Sequence, residues 1–277
     1  MPQTIPPAPP PGAALDPRNV KMAGGRRSMS GSVIDANRVV QALWVGSRLS
    51  ALERLSMASF LAHGHEYHLY TYGHVEGVPP GIIVRDGNDV LTSDWLFRDS
   101  RGTFAGFSDF FRYKLLLASG GWWVDTDMVC LKPFDFEPEY VLANEPDLTV
   151  GSAVMKVPAR SELIARAWEA CAGMDRTSFE WGAAGPRLLI GLVERLGLTD
   201  LALEPNVFFP VDWGDWRRML DPAVTWVFAP STRAIHLWSS MWSLEGQDPD
   251  LPYPRGCLLE DLKARYLTRL PGHPRLG

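Results

Sequence analysis

Two aspartates one residue apart, Asp125 and Asp127, directly follow the apolar segment of residues 120–124 (GGWWV). Because successive side chains of a strand point to opposite faces, residues i and i+2 leave on the same side. If the strand ends at Val124, both carboxylates reach the mouth of a sheet. Carboxylate oxygens are the ligands that Mg²⁺ and Mn²⁺ prefer. A lone Asp-x-Asp is common in solvated turns, so the prediction of a metal site depends on the surroundings of the pair.

A helix predicted just before this segment carries Asp109, Arg112 and Tyr113 at positions i, i+3 and i+4, which share one helix face. Two interpretations stay open. An exposed Asp–Arg pair would contribute about 0.2–1 kcal/mol to stability and nothing to function. Alternatively, the helix packs beside the acidic strand end, so that Asp109 accepts hydrogen bonds from hydroxyls and Arg112 binds an anion with its planar fork.

The elements that must position these residues alternate between strands and helices. Apolar runs predict strands at residues 39–45, 68–72, 82–84, 120–124, 140–142, 150–157 and 234–236. Helical spacing predicts helices at residues 49–61, 104–119, 161–172 and 186–196, with a short one at 89–95. This alternation is typical of an α/β fold with a mainly parallel sheet flanked by helices.

The composition fits one large folded unit with an acidic surface. The chain has 277 residues, 46% of them hydrophobic, a formal net charge of −5 and a pI near 5.7. We assign residues 33–277 to a single α/β domain, and the acidic balance argues against a nucleic-acid partner, which requires a basic face. Residues 1–32 are rich in Pro, Gly and Ser and are predicted to form a disordered tail.

The sequence predicts a cytoplasmic protein. Its three cysteines are widely separated and include no CxxC pair, which favours reduced thiols over a zinc site or a disulfide framework. No apolar run reaches the roughly 18–20 residues that span a bilayer, so no transmembrane segment is expected. The first residues also lack the plan of a signal peptide. Peripheral association with the inner membrane face, through a partner or a lipid acceptor, stays open.

Two short segments together resemble a known family. Residues 108–113 (SDFFRY) and 120–127 (GGWWVDTD) are similar to the signature of the DXD-containing glycosyltransferases. That family includes yeast-type mannosyltransferases, α-1,4-galactosyltransferase-like proteins, bacterial capsule enzymes and the catalytic domains of large clostridial toxins. The resemblance implies a GT-A-type, Rossmann-like fold. It also implies metal-dependent transfer of a hexose from a nucleotide sugar, with retention at the anomeric carbon.

The resemblance implies roles for residues of the central segment. Asp127, together with Asp125, would hold Mn²⁺ or Mg²⁺ between the donor phosphates. Asp109 and Arg112 would orient the transferred sugar, which makes Arg112, Asp125 and Asp127 the expected catalytic residues. Ser108 would hydrogen-bond the ribose or the base.

More distant segments extend the resemblance. Trp44 lies in a segment similar to the family's first strand, where an aromatic residue stacks on the nucleotide base. Residues 236–242 (HLWSSMW) are similar to a C-terminal loop that closes on the diphosphate. In the toxins, the Ser of a Ser-x-Trp element helps hold the metal and the Trp contacts phosphate, roles that would fall here on Ser240 and Trp242. The toxins carry a Glu just upstream of the Ser, whereas here His236 is the candidate third metal ligand.

The donor, the acceptor and the reaction itself allow alternatives. The resemblance favours a UDP-hexose donor, with GDP-mannose as the second candidate, and a saccharide or lipid-linked acceptor such as a growing surface polysaccharide or a glycolipid. A haloacid-dehalogenase-like phosphatase also begins its active site with an apolar strand that ends in Asp-x-Asp. A third alternative is a degenerate module that binds nucleotide sugars without turnover.

Overall fold

A computed structural model describes residues 37–146 and 150–268 of the chain. The predicted disordered tail of residues 1–32 lies outside these ranges. The described strands are β1 (Val39–Trp44), β2 (Glu66–Thr71), β3 (Ile83–Asp86), β4 (Gly121–Val124), β5 (Met128–Cys130), β6 (Leu142–Ala143), β7 (Val154–Val157), β8 (Ala202–Leu203) and β9 (Ala234–His236). The described α-helices are α1 (Ala51–Ala62), α2 (Ala105–Ser119), α3 (Glu162–Ala172), α4 (Pro186–Arg195), α5 (Ser239–Leu244) and α6 (Leu258–Tyr266).

The central sheet has five strands in the order β3-β2-β1-β4-β7. The first four are parallel, and β7 pairs antiparallel with β4 at one edge. The predicted α/β fold with a mainly parallel sheet and flanking helices is therefore confirmed. Because parallel strands end at the same edge, the residues that follow β1 and β4 lie along one rim of the sheet.

Strand β4 anchors the hydrophobic core on both faces of the sheet. Its adjacent tryptophans, Trp122 and Trp123, are 0% and 1% exposed and belong to different clusters of buried side chains. Neighbouring side chains of a strand point to opposite faces, which explains this division. The strand that leads into the two aspartates is thereby fixed from both sides.

A tight turn joins α2 to β4 at Gly120. This residue has a φ of +61°, and a Cβ atom there would overlap the backbone nitrogen of Ala159 and lie 2.9 Å from the carbonyl carbon of Pro158. Only glycine satisfies both conditions. The turn returns the chain directly from the helix into the sheet, so that the helix packs beside the strand that follows it.

Two predicted elements differ from those observed. The predicted strand of residues 150–157 begins only at Val154, because the residues before it make single backbone contacts instead: Gly151 N donates to Ala143 O (2.8 Å) and Asp125 N donates to Ala153 O (2.7 Å). The predicted short helix at residues 89–95 is two separate 3₁₀ turns, Gly87–Asp89 and Ser93–Trp95.

The described helices include none that could cross a membrane: within residues 37–146 and 150–268, each is too short or too polar for that.

Candidate functional site

The two aspartates lie in the turn between β4 and β5. The amide of Met128 donates to Asp125 O at 3.1 Å, which closes the turn directly after β4. Strand β5 then pairs antiparallel with β9 so that Met128 lies opposite His236. This register brings the end of β9 next to Asp127, 109 residues away in the chain.

Asp125, Asp127 and His236 form a group whose potential ligand atoms all lie within 4.8 Å of one another. The Nε2 atom of His236 lies 3.2 Å from Asp127 Oδ1, and the backbone N–H of Ser239 donates to Asp127 Oδ2 at 2.8 Å. The Nδ1 atom of His236 is buried and finds no hydrogen-bond partner among the described residues. Two carboxylates and an imidazole suit a divalent cation such as Mn²⁺ or Mg²⁺. The donor set thus fits the predicted cofactor, and it contains His236, the candidate third ligand.

Asp127 and His236 shift each other's pKa. Burial alone would raise the pKa of Asp127, but the imidazole of His236 and the hydrogen bond from Ser239 outweigh it and hold that pKa near 2, well below its usual range. Burial would likewise lower the pKa of His236, and the attraction of Asp127 and Asp125 raises it instead. Asp127 and His236 therefore stabilise each other's charged forms.

Arg112 joins helix α2 to the acidic turn. Its Nη1 donates to Asp109 Oδ1 at 2.6 Å and its Nη2 donates to Asp125 Oδ1 at 2.9 Å, while the guanidinium carbon lies 4.8 Å from the centre of the Trp123 ring. Arg112 is only 2% exposed and Asp109 only 6%. The interpretation of an exposed surface ion pair is therefore wrong, because the chain turns at Gly120 and packs this helix face against β4. Burial raises the pKa of Asp109 to about 6 although Arg112 opposes the shift.

The Gly185-Pro186 segment packs against Asp109. A Cβ atom at Gly185 would lie 2.9 Å from Asp109 Oδ2. One residue earlier, the carbonyl of Ala184 accepts a hydrogen bond from Tyr113 Oη at 2.9 Å. The start of α4 is thus held against the same face of α2 that carries Arg112.

The remaining predicted site residues lie at different distances from this centre. Trp44 is half-buried at the end of β1, and its Nε1 atom is buried without a hydrogen-bond partner among the described residues. Ser108 is half-buried on α2, next to Asp109. Ser240 is exposed on the first turn of α5, one residue after the amide that binds Asp127. The hydrogen bonds of Asp125 and Asp127 among the described residues involve none of these three side chains, and their donor-binding roles stay predictions.

Trp242 is a residue of α5, and its side chain points into the core. It is 1% exposed, its ring centre is 5.0 Å from that of Trp216, and its Nε1 donates to Leu237 O at 2.8 Å. Its observed contacts stabilise the segment between β9 and α5. Its phosphate contact stays a prediction.

Three features of the site were not predicted from the sequence. The indole of Trp123 donates to Asp125 Oδ1 at 2.7 Å, and the backbone of Ser239 donates to Asp127. Glu145, just after β6, adds a further carboxylate near Asp125 and His236. The signal for Glu145 was a lone acidic residue three positions after the predicted strand of residues 140–142, which no motif marked.

Comparison with known proteins gives three kinds of match. Residues 87–146 match the family described as glycosyltransferase sugar-binding region containing DXD motif. Lactosylceramide 4-alpha-galactosyltransferase of Homo sapiens is 25% identical over 173 residues, which cover 57% of this chain and 47% of that protein. The Mus musculus protein of the same name is 25% identical over 175 residues, covering 57% and 46%. The chain thus spans about half the length of the curated relatives it matches.

Among solved structures, the chain is similar to the PaToxG glycosyltransferase, with a TM-score of 0.44 and 14% identity over 60% of this chain and 75% of that one. The matched family region of residues 87–146 contains Ser108, Asp109, Arg112, Asp125 and Asp127. The similarity to the DXD-containing glycosyltransferases therefore lies in this region and in relatives that are 25% identical to the chain.

Proposed function

We propose that this chain is a metal-dependent, retaining glycosyltransferase that moves a hexose from a nucleotide-sugar donor to a hydroxyl acceptor. The observation that carries the proposal is the convergence of Asp125, Asp127 and His236 with the buried Arg112–Asp109 pair, at the end of a parallel sheet and largely within the matched family region.

The three clustered side chains would hold Mn²⁺ or Mg²⁺ next to the donor phosphates. A divalent cation there supplies Lewis-acid stabilisation of the charge that develops on the departing nucleoside diphosphate. Arg112 keeps Asp125 in position and shields its charge from Asp109. Trp123 fixes the same Asp125 oxygen from the other side. These contacts preorganise the carboxylates, so little reorganisation remains when the donor binds.

The residues around this centre would bind the rest of the donor. Trp44, at the end of β1, would stack on the base, and Ser108 would hydrogen-bond the ribose or base. Asp109 would accept a hydroxyl of the transferred sugar. We call Asp125, Asp127 and His236 the metal group. The exposed Ser240 would contribute to closure over the phosphates, and the buried Trp242 would support the same helix. Excluding water in this way protects the donor from hydrolysis.

The choice of transferred sugar and of acceptor is proposed from the names of the curated relatives. The curated relatives are named as galactosyltransferases that act on lactosylceramide, which supports a UDP-hexose, and galactose first, as the donor to test. A saccharide or lipid-linked hydroxyl is the proposed acceptor. In retaining transfer the acceptor proton passes to the departing phosphate oxygen, so no side chain is assigned as general base.

The test is turnover by the protein and by Asp127→Ala. The protein is incubated with Mn²⁺ and UDP-galactose, UDP-glucose or GDP-mannose, with and without lactosyl acceptors, and release of nucleoside diphosphate is measured. We expect turnover that falls at least a hundredfold in Asp127→Ala while circular dichroism stays unchanged. Asp200→Ala, an exposed aspartate outside the site, is the control.

Two outcomes would contradict the proposal. Near-wild-type turnover in Asp127→Ala would contradict the assignment of Asp127 as a ligand of a catalytic metal. Hydrolysis of p-nitrophenyl phosphate without any use of nucleotide sugars would favour the phosphatase alternative.

A further inference from the structure

Glu145 carries a carboxylate that interacts with Asp125 and His236 and has no hydrogen-bond or ion-pair partner within residues 37–146 and 150–268. It follows β6 and is half-buried. Its charge interacts with His236, Asp125 and Arg112, yet it lies outside the group of three potential ligands. Its side chain makes no hydrogen bond or ion pair with the described residues, although a carboxylate offers about four acceptor sites. Partial burial of an unmatched carboxylate is unfavourable unless something donates to it.

The chain makes room for this side chain at Gly151. A Cβ atom at Gly151 would overlap Oε1 of Glu145 and lie 2.6 Å from its Cγ and 2.8 Å from its Cδ. The amide of Gly151 donates to Ala143 O at 2.8 Å, so the backbone at Gly151 is fixed relative to the end of β6. The backbone just after Gly151 also contacts the acidic turn, because Asp125 N donates to Ala153 O at 2.7 Å. Gly151 therefore seats the Glu145 carboxylate beside the metal group.

The charges around Glu145 indicate which ligand it would accept. Burial raises its pKa, Asp125 and Asp212 raise it further, and His236 and Arg112 oppose them. A second metal ion is not required, since the three clustered side chains already supply the donor set. A neutral hydroxyl donor satisfies a carboxylate without adding charge. If a donor phosphate binds at Asp125, Asp127 and His236, the sugar attached to that phosphate is the nearest source of hydroxyl groups for Glu145.

We infer that Glu145 binds the transferred sugar by accepting a hydrogen bond from one of its hydroxyl groups. This rests on the proposed function, and it adds a specificity-determining residue in addition to Asp109. Asp109 already accepts a hydrogen bond from Arg112, whereas both oxygens of Glu145 are available. Glu145 then contacts the sugar but not the nucleotide.

The experiment measures, by isothermal titration calorimetry with Mn²⁺, the affinity of UDP and of the UDP-hexose that binds most tightly. Glu145→Ala is expected to weaken UDP-hexose binding about tenfold to a hundredfold, the range for a hydrogen bond to a charged group, and to leave UDP binding unchanged. Glu145→Gln, which keeps an acceptor oxygen, recovers part of the loss. Glu139→Ala, an exposed glutamate earlier on the same segment, is the matched control.

Gly151→Ala provides an independent test. Gly151 has no positive φ, and the atoms that a Cβ would meet belong to the flexible Glu145 side chain, so the fold tolerates the substitution while the carboxylate moves. We expect Gly151→Ala to weaken UDP-hexose binding like Glu145→Ala. In the Glu145→Ala background it should change nothing further, because the two residues act through the same contact.

The possible results distinguish a failure of the role of Glu145 from a failure of the proposed function. Equal losses for UDP and UDP-hexose, or no loss for either, in Glu145→Ala would overturn the role of Glu145 and leave the proposed function intact. Additive losses from Gly151→Ala would also overturn it. Failure of the wild-type protein to bind both UDP and every UDP-hexose would overturn the proposed function, and the inference with it.

Discussion

Arg112 is the residue on which the geometry of the acidic turn depends. It contacts Asp109 and Asp125 with separate guanidinium nitrogens and packs over Trp123. Only a planar fork reaches two carboxylates in different directions at once. Removing any one of Arg112, Asp109 and Asp125 leaves a buried charge without its partner. The three side chains therefore behave as a unit.

Arg112→Lys should therefore be far from conservative. Lysine keeps the charge but cannot hold both carboxylates, so we expect a loss of about 1.5–3 kcal/mol in the free energy of unfolding, measured by urea denaturation. Turnover should fall at least tenfold. Arg166→Lys, in an exposed i,i+4 pair with Glu162, should change stability by less than about 0.5 kcal/mol. Unchanged turnover in Arg112→Lys would mean that Arg112 is not needed to position Asp125.

Local spacing was sufficient to predict part of the site. Helix periodicity places Asp109 and Arg112 on one face, and strand alternation brings Asp125 and Asp127 to one end of β4. Glu145 could not be predicted in this way. Its position depends on how the backbone at Gly151 pairs with the end of β6, and no local pattern in the sequence determines that pairing.

At the scale of elements, β4 connects the core to the chemistry. Trp122 and Trp123 fill opposite sides of the sheet, and each indole donates one hydrogen bond: Trp122 to Asn37 Oδ1 at 3.1 Å and Trp123 to Asp125 Oδ1 at 2.7 Å. The two residues are therefore matched in burial and hydrogen bonding and differ in their partner. This makes them a natural pair for separating stability from function.

Phenylalanine substitutions should separate the two roles. Trp122→Phe and Trp123→Phe each lose volume and one buried hydrogen bond, so both should reduce the free energy of unfolding by about 1–3 kcal/mol. Only Trp123→Phe should weaken Mn²⁺ binding, measured by electron paramagnetic resonance of free Mn²⁺, because of the two tryptophans only Trp123 donates a hydrogen bond to Asp125. Equal Mn²⁺ affinities in the two variants would show that this indole contact does not contribute to the metal group.

At the scale of the whole molecule, the metal group connects distant parts of the chain. Asp127 follows the central sheet, whereas His236 belongs to the two-stranded pair β5–β9. A ligand bound between them contacts the native state and not the separated segments of the unfolded chain. Binding should therefore stabilise the fold as well as complete the site.

Mn²⁺ with UDP should raise the melting temperature of the protein. At a hundredfold excess over Kd the stabilisation is about 2.7 kcal/mol, or roughly 5–10 °C for a chain of this size. The shift should disappear with EDTA and in Asp127→Ala, both followed by differential scanning fluorimetry. A shift of the same size in the presence of EDTA would argue against a metal at this group.

The global arrangement was predictable in outline. The alternation of apolar runs and helical spacing predicted the mainly parallel sheet, because each element must bury one face against the others. The start of β7 and the two 3₁₀ turns before α2 were not predictable, since single backbone contacts such as Asp125 N to Ala153 O decide them. Pairing of β5 with β9 likewise leaves no local pattern in the sequence.

The pairing of β5 with β9 also sets the order of events during synthesis. Asp127 and His236 are 109 residues apart, so translation at about 5–20 residues per second separates their appearance by roughly 5–20 s. During that interval the nascent chain displays both aspartates while β5 has no pairing strand and the third ligand does not exist. Under the proposed function, only a chain synthesised past β9 would bind the donor, and a truncated product that stops earlier would not consume sugar nucleotides.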